Sequence, residues 1–269
     1  MNKLFQTKHH LWLELVFASF AIKDEAIKSR LYDFSQINFR HMKWIANETL
    51  LKGKDYNYDR DMMLYKQESV FTILQNLQNR FQDAMQSYGD DTLAGRMRTD
   101  DEYLLTYIEE LLEDKSNDAP ITAFNMERKY KNKNLAQEQI DALTLFLFEE
   151  SYKEYELILI YAYMQARTDN LMQYNVFQDL IDESHFHLKS FGNMMAELGI
   201  LALPRELHER TYMIDDLEKF IKDGIAEEEA AKEMCKELSS AIKDEELSKF
   251  FDFINYQESY HIALMEKLL

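Results

Sequence analysis

Two glutamates and a histidine stand where helix packing would favour apolar residues. Between Leu217 and Leu269 the apolar residues recur at steps of three and four, which predicts two amphipathic helices. Glu228 interrupts the apolar stripe of the first helix, and Glu258 and His261 interrupt that of the second. A buried carboxylate is costly without a partner. Carboxylates and an imidazole on facing stripes therefore indicate ligands for a divalent metal ion.

The predicted hairpin places these acids at one depth. A turn near Lys243 and Asp244 would fold the two helices antiparallel. Glu228 and Glu258 each lie 15 residues from Lys243, so both carboxylates reach roughly 22 Å from the turn. A cation between them would explain two acids and an imidazole at the same level.

An earlier helix, predicted over residues 136–167, supplies a third carboxylate. Glu156 has Tyr152 and Leu159 within one turn of it, which indicates that its side chain is buried. Glu149, one heptad earlier, faces the same way and remains an alternative. The expected ligand from this helix is Glu156.

The next helix offers two acid and histidine pairs between Asp182 and His187. Asp182 and His185 lie on a stripe that continues through polar residues, whereas Glu183 and His187 share a stripe with apolar residues. We therefore expect Glu183 and His187 to be ligands at i and i+4. A local π-bulge, a feature frequent at functional sites, could instead bring in His185.

The closing hairpin resembles the ferritin-like family of bacterioferritins and rubrerythrins. Glu228 on one helix and Glu258-Ser-Tyr-His261 on the next carry the resemblance. In that family, one Glu on each of two helices and a Glu-x-x-His on each of the other two hold a pair of metal ions. The resemblance implies that Glu156 is the first ligand and that Tyr163, seven residues later, stands beside it as in bacterioferritins.

The predicted centre has six metal ligands on four helices: Glu156, Glu183, His187, Glu228, Glu258 and His261. Four carboxylates and two imidazoles would offset most of the charge of two divalent ions. Mixed oxygen and nitrogen ligands suit two Fe ions, or alternatively Mn. The family spacing would choose Asp182 and His185, so this helix is where the chain departs from the pattern.

Composition and an internal repeat predict the fold. The 269 residues include only 6 Gly and 2 Pro, and no run alternates cleanly between apolar and polar residues, which predicts an all-α protein. In each half a Glu is followed by a His 27 to 31 residues later, Glu14 by His41 and Glu156 by His187. We expect two related four-helix ferritin-like bundles packed together, with a degenerate unit over residues 1–118, a linker over 119–134 and the metal-binding bundle over 135–269.

The first half offers an incomplete set of ligands. Its inward-facing polar residues are expected to be Glu14, Asn38, His41 and Glu48. An amide replaces one carboxylate and the other two helices supply no ligand, which favours a structural role. In a different assembly, the hairpin with Glu14 and His41 would form one bundle with the hairpin of Glu156 and His187, and the closing hairpin would lie outside it.

Charge and cysteine content exclude several classes of partner. The net charge of −18 argues against a nucleic acid or an anionic membrane, which both need basic patches. The single Cys235 excludes an internal disulfide and a cysteine-rich metal site. The apolar stretch over residues 11–22 is interrupted by Glu14 and is too short to span a bilayer. We expect a cytoplasmic protein, with a homodimer as an open alternative.

The resemblance to rubrerythrins implies an oxidoreductase that reacts with peroxide or dioxygen. Tyr152 or Tyr163 would then hydrogen-bond the bound oxygen species. The chain has no four-cysteine module of the rubredoxin type, so an unidentified electron donor is expected. The alternatives are a di-iron oxygenase of an organic substrate, an iron-storage protein, and a metal-free helical interaction protein.

Overall fold

The computed structural model of this chain describes residues 1–61, 63, 69–121, 129–130, 132–201 and 204–269. Within these ranges the regular structure is helical, and an isolated antiparallel bridge joins Ser69 to Pro120. The predicted all-α class is confirmed. No helix of the described ranges has an apolar stretch long enough to cross a membrane.

The chain divides into two compact units. Unit 1 comprises Met1–Phe124 and Arg205–Glu209, and unit 2 comprises Asn125–Pro204 and Arg210–Leu269. The linker expected over residues 119–134 lies in part outside the described residues, and the short segment Arg205–Glu209 joins unit 1, which the sequence did not predict. The assignment of separate functions to the two halves stays a prediction.

Unit 1 contains two helix hairpins. Its helices are α1 (Asn2–Ala21), α2 (Glu25–Leu51), α3 (Val70–Gln86) and α4 (Thr92–Glu113), followed by a 3₁₀ turn at Lys115–Asn117. Helices α1 and α2 pack together, as do α3 and α4, and α1–α3 and α2–α4 contacts join the hairpins. The Asp24 carboxylate accepts hydrogen bonds from the amides of Ala26 and Ile27 and so fixes the start of α2.

Unit 2 repeats this pairing of helices. They are α5 (Gln137–Gln165), α6 (Leu171–Glu197), α8 (Leu217–Ala241) and α9 (Glu245–Glu266), and the single turn α7 (Glu209–Tyr212) begins at the last residue of the unit 1 segment. Hairpins α5–α6 and α8–α9 are joined by α5–α8 and α6–α9 contacts. Asp244 caps α9 by accepting a hydrogen bond from the amide of Leu247, so the turn lies where the sequence predicts it. The closing hairpin therefore packs with α5 and α6 and not outside them.

An aromatic cluster in unit 2 joins three of its helices. Phe146 of α5 makes edge contacts with Phe191 of α6 and Phe251 of α9, at centroid distances of 5.7 and 5.3 Å. All three rings are buried, and each contributes about 1.5–3 kcal/mol by leaving water. Phe191 also stacks on the imidazole of His187 at 5.8 Å. The aromatic cluster thus extends directly to the first candidate ligand.

Candidate metal centre

Five acidic and imidazole side chains from four helices meet inside unit 2. They form two groups, in each of which one ligand atom per residue lies within 4.8 Å of the others. The first group is Glu154, His187 and Glu258, and the second is Glu228, Glu258 and His261. All five are buried. Such groups could hold metal ions, and Glu258 belongs to both.

The two oxygens of Glu258 are divided between the groups. Its Oε1 lies 3.7 Å from Nδ1 of His187, and its Oε2 lies 2.9 Å from Nδ1 of His261. The imidazole centroids are 5.5 Å apart. On the outer sides, Glu154 Oε1 lies 2.8 Å from Nδ1 of His187, and Glu228 Oε1 lies 3.6 Å from Nδ1 of His261. A carboxylate placed in this way can bridge two cations.

Each imidazole is oriented by a second residue on its far nitrogen. His261 Nε2 donates a hydrogen bond of 2.8 Å to Glu183 of α6, and His187 Nε2 donates one of 3.2 Å to Gln257 of α9. The two helices thus hold each other's histidines. Such outer partners fix the ring and leave the other nitrogen, here Nδ1, facing the centre. Glu183, expected as a ligand, is in the structure a partner of His261 and lies in neither group.

The acid supplied by α5 is Glu154 and not the predicted Glu156. Glu154 is buried, whereas Glu156 is half-buried and belongs to neither group. Glu149, the alternative, is exposed. The sequence did contain the signal, since Glu154 continues the stripe of Leu143, Leu147 and Ile158 at steps of three and four. Its neighbours Glu150 and Ser151 made that stripe look like a solvated surface, yet both are buried.

The same two-residue shift applies to the expected tyrosine. Tyr161 follows Glu154 by the seven residues that the resemblance implied for Tyr163. It is buried, it lines a cavity with Glu154 and Glu258, and its hydroxyl has no hydrogen-bond partner within the described residues. Burial and the nearby carboxylates raise its pKa well above the usual value. Tyr163 packs on Tyr212, and Tyr152 packs on Phe148.

Helix α6 contributes a histidine without the carboxylate of a Glu-x-x-His motif. Ser184 stands three residues before His187 and is buried. The neighbouring His185 is also buried but is in neither group. Helix α6 is α-helical over its whole length, so the i, i+4 placement of Glu183 and His187 needs no π-bulge. One bridging carboxylate, Glu258, is therefore present where the family pattern has two.

The cluster is strongly coupled electrostatically. Burial would lower the pKa of His187, but the charge and hydrogen bond of Glu154 and the charge of Glu258 outweigh it and raise that pKa to about 9. Burial opposes the charge on His261 too, yet the surrounding carboxylates raise its pKa to about 12. Burial, reinforced by the Glu228 carboxylate, raises the pKa of Glu258 to about 8. Without a metal ion, protons thus supply the positive charge that this cluster needs.

One carboxylate oxygen of the cluster, Glu154 Oε2, is available to bind a cation. Glu154 Oε2 is buried and has no hydrogen-bond partner among the described residues, a costly state for a carboxylate. The donor set of three carboxylates and two imidazoles suits Fe, Mn or Zn. With Glu183 next to it, the centre carries four acids, which balance two divalent ions when both imidazoles are neutral. The residues present therefore fit a two-metal centre.

Unit 1 has a lysine ammonium at its centre. Lys8 is fully buried, and its Nζ lies 2.6 Å from Asp101 Oδ2 and 3.0 Å from Asn38 Oδ1. Tyr88 donates a further hydrogen bond to the same oxygen of Asp101. His41 Nε2 donates a bond of 3.0 Å to Asp100. The sequence analysis did not predict the buried ion pair of Lys8 and Asp101. Nothing in the pattern of charged residues along the two helices indicates that these two side chains pair.

The other polar residues expected inside unit 1 lie at its periphery. Glu14 Oε1 lies 2.9 Å from Nε of Arg80 and 3.2 Å from Nε2 of His10. Glu48 is half-exposed and pairs with Lys52 on the surface. The described residues of unit 1 contain no group of three metal-ligating side chains. A structural first half, expected from the sequence, fits this arrangement.

Two buried histidines should make unit 1 sensitive to acid. Burial, followed by the charge of Arg60, lowers the pKa of His9 to about 3, and burial, followed by that of Lys8, lowers the pKa of His41 to about 4. Both pKa values lie below the unfolded value of about 6.5, so each histidine takes up a proton on unfolding. Their contribution is complete above that pH and is lost as pH falls towards 4, by about 1.4 kcal/mol per pH unit for each histidine.

Urea unfolding between pH 7 and pH 4 measures this slope. His41→Gln removes one of the two protons, so the free energy of unfolding should fall less steeply with acid in that variant. His208→Gln, which changes an exposed histidine, should keep the wild-type slope. Equal slopes in all three proteins would show that His41 is not held neutral.

Substitution of two glutamates on α5 tests the register of the centre. Glu154→Gln should reduce the bound metal from about two ions per chain to about one, because the group around His187 keeps only Glu258 as a charged ligand. Glu156→Gln is the matched control on the same helix and should bind as wild type. Metal analysis after dialysis measures both, and the reverse result would restore the register predicted from sequence.

The fold and the site together define an all-α protein with a buried carboxylate and imidazole cluster that could hold metal ions. Comparison with protein-family models, curated proteins and solved structures finds no match for this chain.

Proposed function

We propose that this protein is a ferritin-like two-metal oxidoreductase, with Fe or Mn as the bound ions and peroxide or dioxygen as the substrate. The observation that carries the proposal is the division of the two Glu258 oxygens between the groups of His187 and His261. One carboxylate shared between two buried imidazole groups is the arrangement expected of a ligand common to two ions. Two related four-helix units, of which only the second holds metal, complete the proposed architecture.

The ligands have distinct roles in this proposal. Glu154 and His187 would hold one ion, Glu228 and His261 would hold the other, and Glu258 could serve both. Gln257 and Glu183 orient the two imidazoles through Nε2. Glu183 also supplies the fourth negative charge beside the centre. When bound, two divalent ions would supply the two electrons that, with two protons, convert one hydrogen peroxide to two waters.

The space beside the cluster favours a small reactant over an organic substrate. The adjoining cavity has a volume of about 200 Å³, below the range of about 300–1,000 Å³ for sites that bind drug-sized molecules. Six of the described residues that line it are acidic. Peroxide and dioxygen fit this space. The oxygenase alternative, which needs an organic substrate, therefore has less support.

Tyr161 is the residue of this chain placed to hold the reactant. Tyr161 lines the cavity together with Glu154 and Glu258, and its buried hydroxyl has no protein partner among the described residues. It can donate a hydrogen bond to an oxygen atom in the cavity. The raised pKa keeps the phenol protonated, as a donor must be.

Metal analysis and peroxide consumption test the proposal. Protein purified from cells should carry about two ions of Fe or Mn per chain, and the reduced protein should consume hydrogen peroxide. Tyr161→Phe should keep the bound metal and slow consumption by about a hundredfold, the effect of losing one aligned donor. Tyr163→Phe, two residues away on the same helix, should react at the wild-type rate.

Other outcomes point to the alternatives. Hundreds of irons per assembly would indicate storage, and protein that binds no metal in cells or after reconstitution would indicate an interaction protein. Two bound ions without peroxide or dioxygen consumption would leave the centre in place and remove the oxidoreductase assignment.

A further inference from the structure

The cavity beside the cluster is bordered by α5, α8 and α9 and reaches the solvent. At its inner end lie Glu154, Glu228 and Glu258, and on its outer side lie the exposed residues Asp223 and Glu227. It is thus a path from bulk water to three of the five buried groups.

The lining of this cavity has an unusual charge. Among its described residues six acids face a single lysine, Lys153, and the acids are Glu150, Glu154, Asp223, Glu227, Glu228 and Glu258. A cleft lined by one sign of charge concentrates the opposite ion and raises its association rate by about 10- to 1,000-fold. Glu154 and Tyr161, whose Oε2 and hydroxyl have no hydrogen-bond partner among the described residues, both belong to the lining of this cavity.

A glycine in the middle of α8 keeps the path open. Gly224 lines the cavity, and a Cβ built on it would lie 3.4 Å from Sδ of Met265. Glycine inside a helix costs about 1 kcal/mol relative to alanine, so its presence there asks for a local reason. A larger side chain would extend into the cavity and towards Met265. The close approach of Met265, which also lines the cavity, is the reason that the structure offers.

Lys153 stands at the path as a charged obstacle. Its Nζ lies 2.9 Å from Oε1 of Glu150, which is buried one turn before Glu154. The lysine side chain is 38% exposed, so it can swing into water. A cation that enters must take over the interaction of Lys153 with Glu150.

We propose that this cavity is the port through which a divalent cation reaches the buried centre, with Gly224 keeping it open and Lys153 opposing entry. The inference rests on the proposed metal centre. Acids along the wall attract the cation, and its passage ends at Glu154, Glu228 and Glu258. The same charge repels anions, so neutral peroxide or dioxygen can use the port while an anionic oxidant is excluded.

The rate at which metal-free protein takes up Co²⁺, followed by visible absorbance after mixing, tests the port. Gly224→Leu should slow uptake at least about tenfold and leave the final Co²⁺ per chain unchanged. Lys153→Gln should speed uptake, and Glu227→Gln should slow it, each several-fold and more at low ionic strength. Glu233→Gln, an exposed acid on the same helix that pairs with Lys236, is the matched control and should take up Co²⁺ as wild type.

The outcomes separate the port from the metal centre. Wild-type protein that binds no Co²⁺ overturns both. Normal binding with an unchanged rate in Gly224→Leu overturns the port alone. If that variant fails to fold, Lys153→Gln and Glu227→Gln decide, since both change partly or fully exposed side chains. Opposite shifts in their rates support the port, and equal rates overturn it.

Discussion

Glu258→Gln should abolish binding of the second metal ion and weaken binding of the first, while the metal-free protein keeps its stability. Glu258 is the one residue shared by the two groups, so its loss removes a charged oxygen from both. Burial and the Glu228 carboxylate raise its pKa to about 8. Both effects favour the protonated carboxyl in the metal-free protein, and a neutral amide of similar shape imitates that form.

This pair of results distinguishes a metal centre from a buried network that only supports the fold. In the second case Glu258 would be ionised and would balance the imidazolium groups, so its replacement by a neutral amide would destabilise the protein by about 3–5 kcal/mol. Metal titration and urea unfolding in EDTA measure the two quantities. A large loss of metal-free stability would assign Glu258 to the fold, and two retained ions would remove it from the centre. Glu266→Gln, an exposed acid near the end of the same helix, should change neither.

The sequence predicts how the closing hairpin brings its ligands together, because the rise per residue of a helix sets how far each side chain lies from the turn. Glu228, Glu258 and His261 lie on two stripes joined by a short turn, and the rise per residue alone brings them together. His187 was found in the same way, since its apolar stripe outweighed the family spacing that favours His185. These choices needed only periodicity and a turn.

Periodicity failed where polar residues form the buried stripe itself. On α5, Glu150, Ser151 and Glu154 are buried in succession, and a pattern based on hydrophobicity reads them as solvated. Glu183 shows a different limit. The sequence placed it near the centre, but only coordinates show that its carboxylate meets the outer nitrogen of His261. Whether a nearby acid binds a metal or orients a ligand depends on side-chain direction.

Unit 1 also contains a buried carboxylate, and there a lysine side chain supplies the compensating positive charge. Asp101 is buried, as Glu258 is, and a buried carboxylate needs a positive partner. Lys8 supplies it at 2.6 Å and is itself fully buried. Burial lowers the pKa of Lys8, and the Asp101 charge opposes that shift. The ammonium thus supplies in unit 1 the positive charge that a metal ion is proposed to supply in unit 2.

Lys8→Met should therefore destabilise unit 1 by about 3–5 kcal/mol, because it leaves Asp101 buried without its cation. Urea unfolding followed by circular dichroism measures the loss. Lys3→Met, an exposed position on the same helix, should change stability by less than about 0.5 kcal/mol. Adding Asp101→Asn to Lys8→Met removes the uncompensated charge and should recover much of the loss. This recovery is expected because the buried Asp101 charge causes the loss. A double variant as unstable as Lys8→Met would instead show that Lys8 acts by packing against Phe81 and Tyr88.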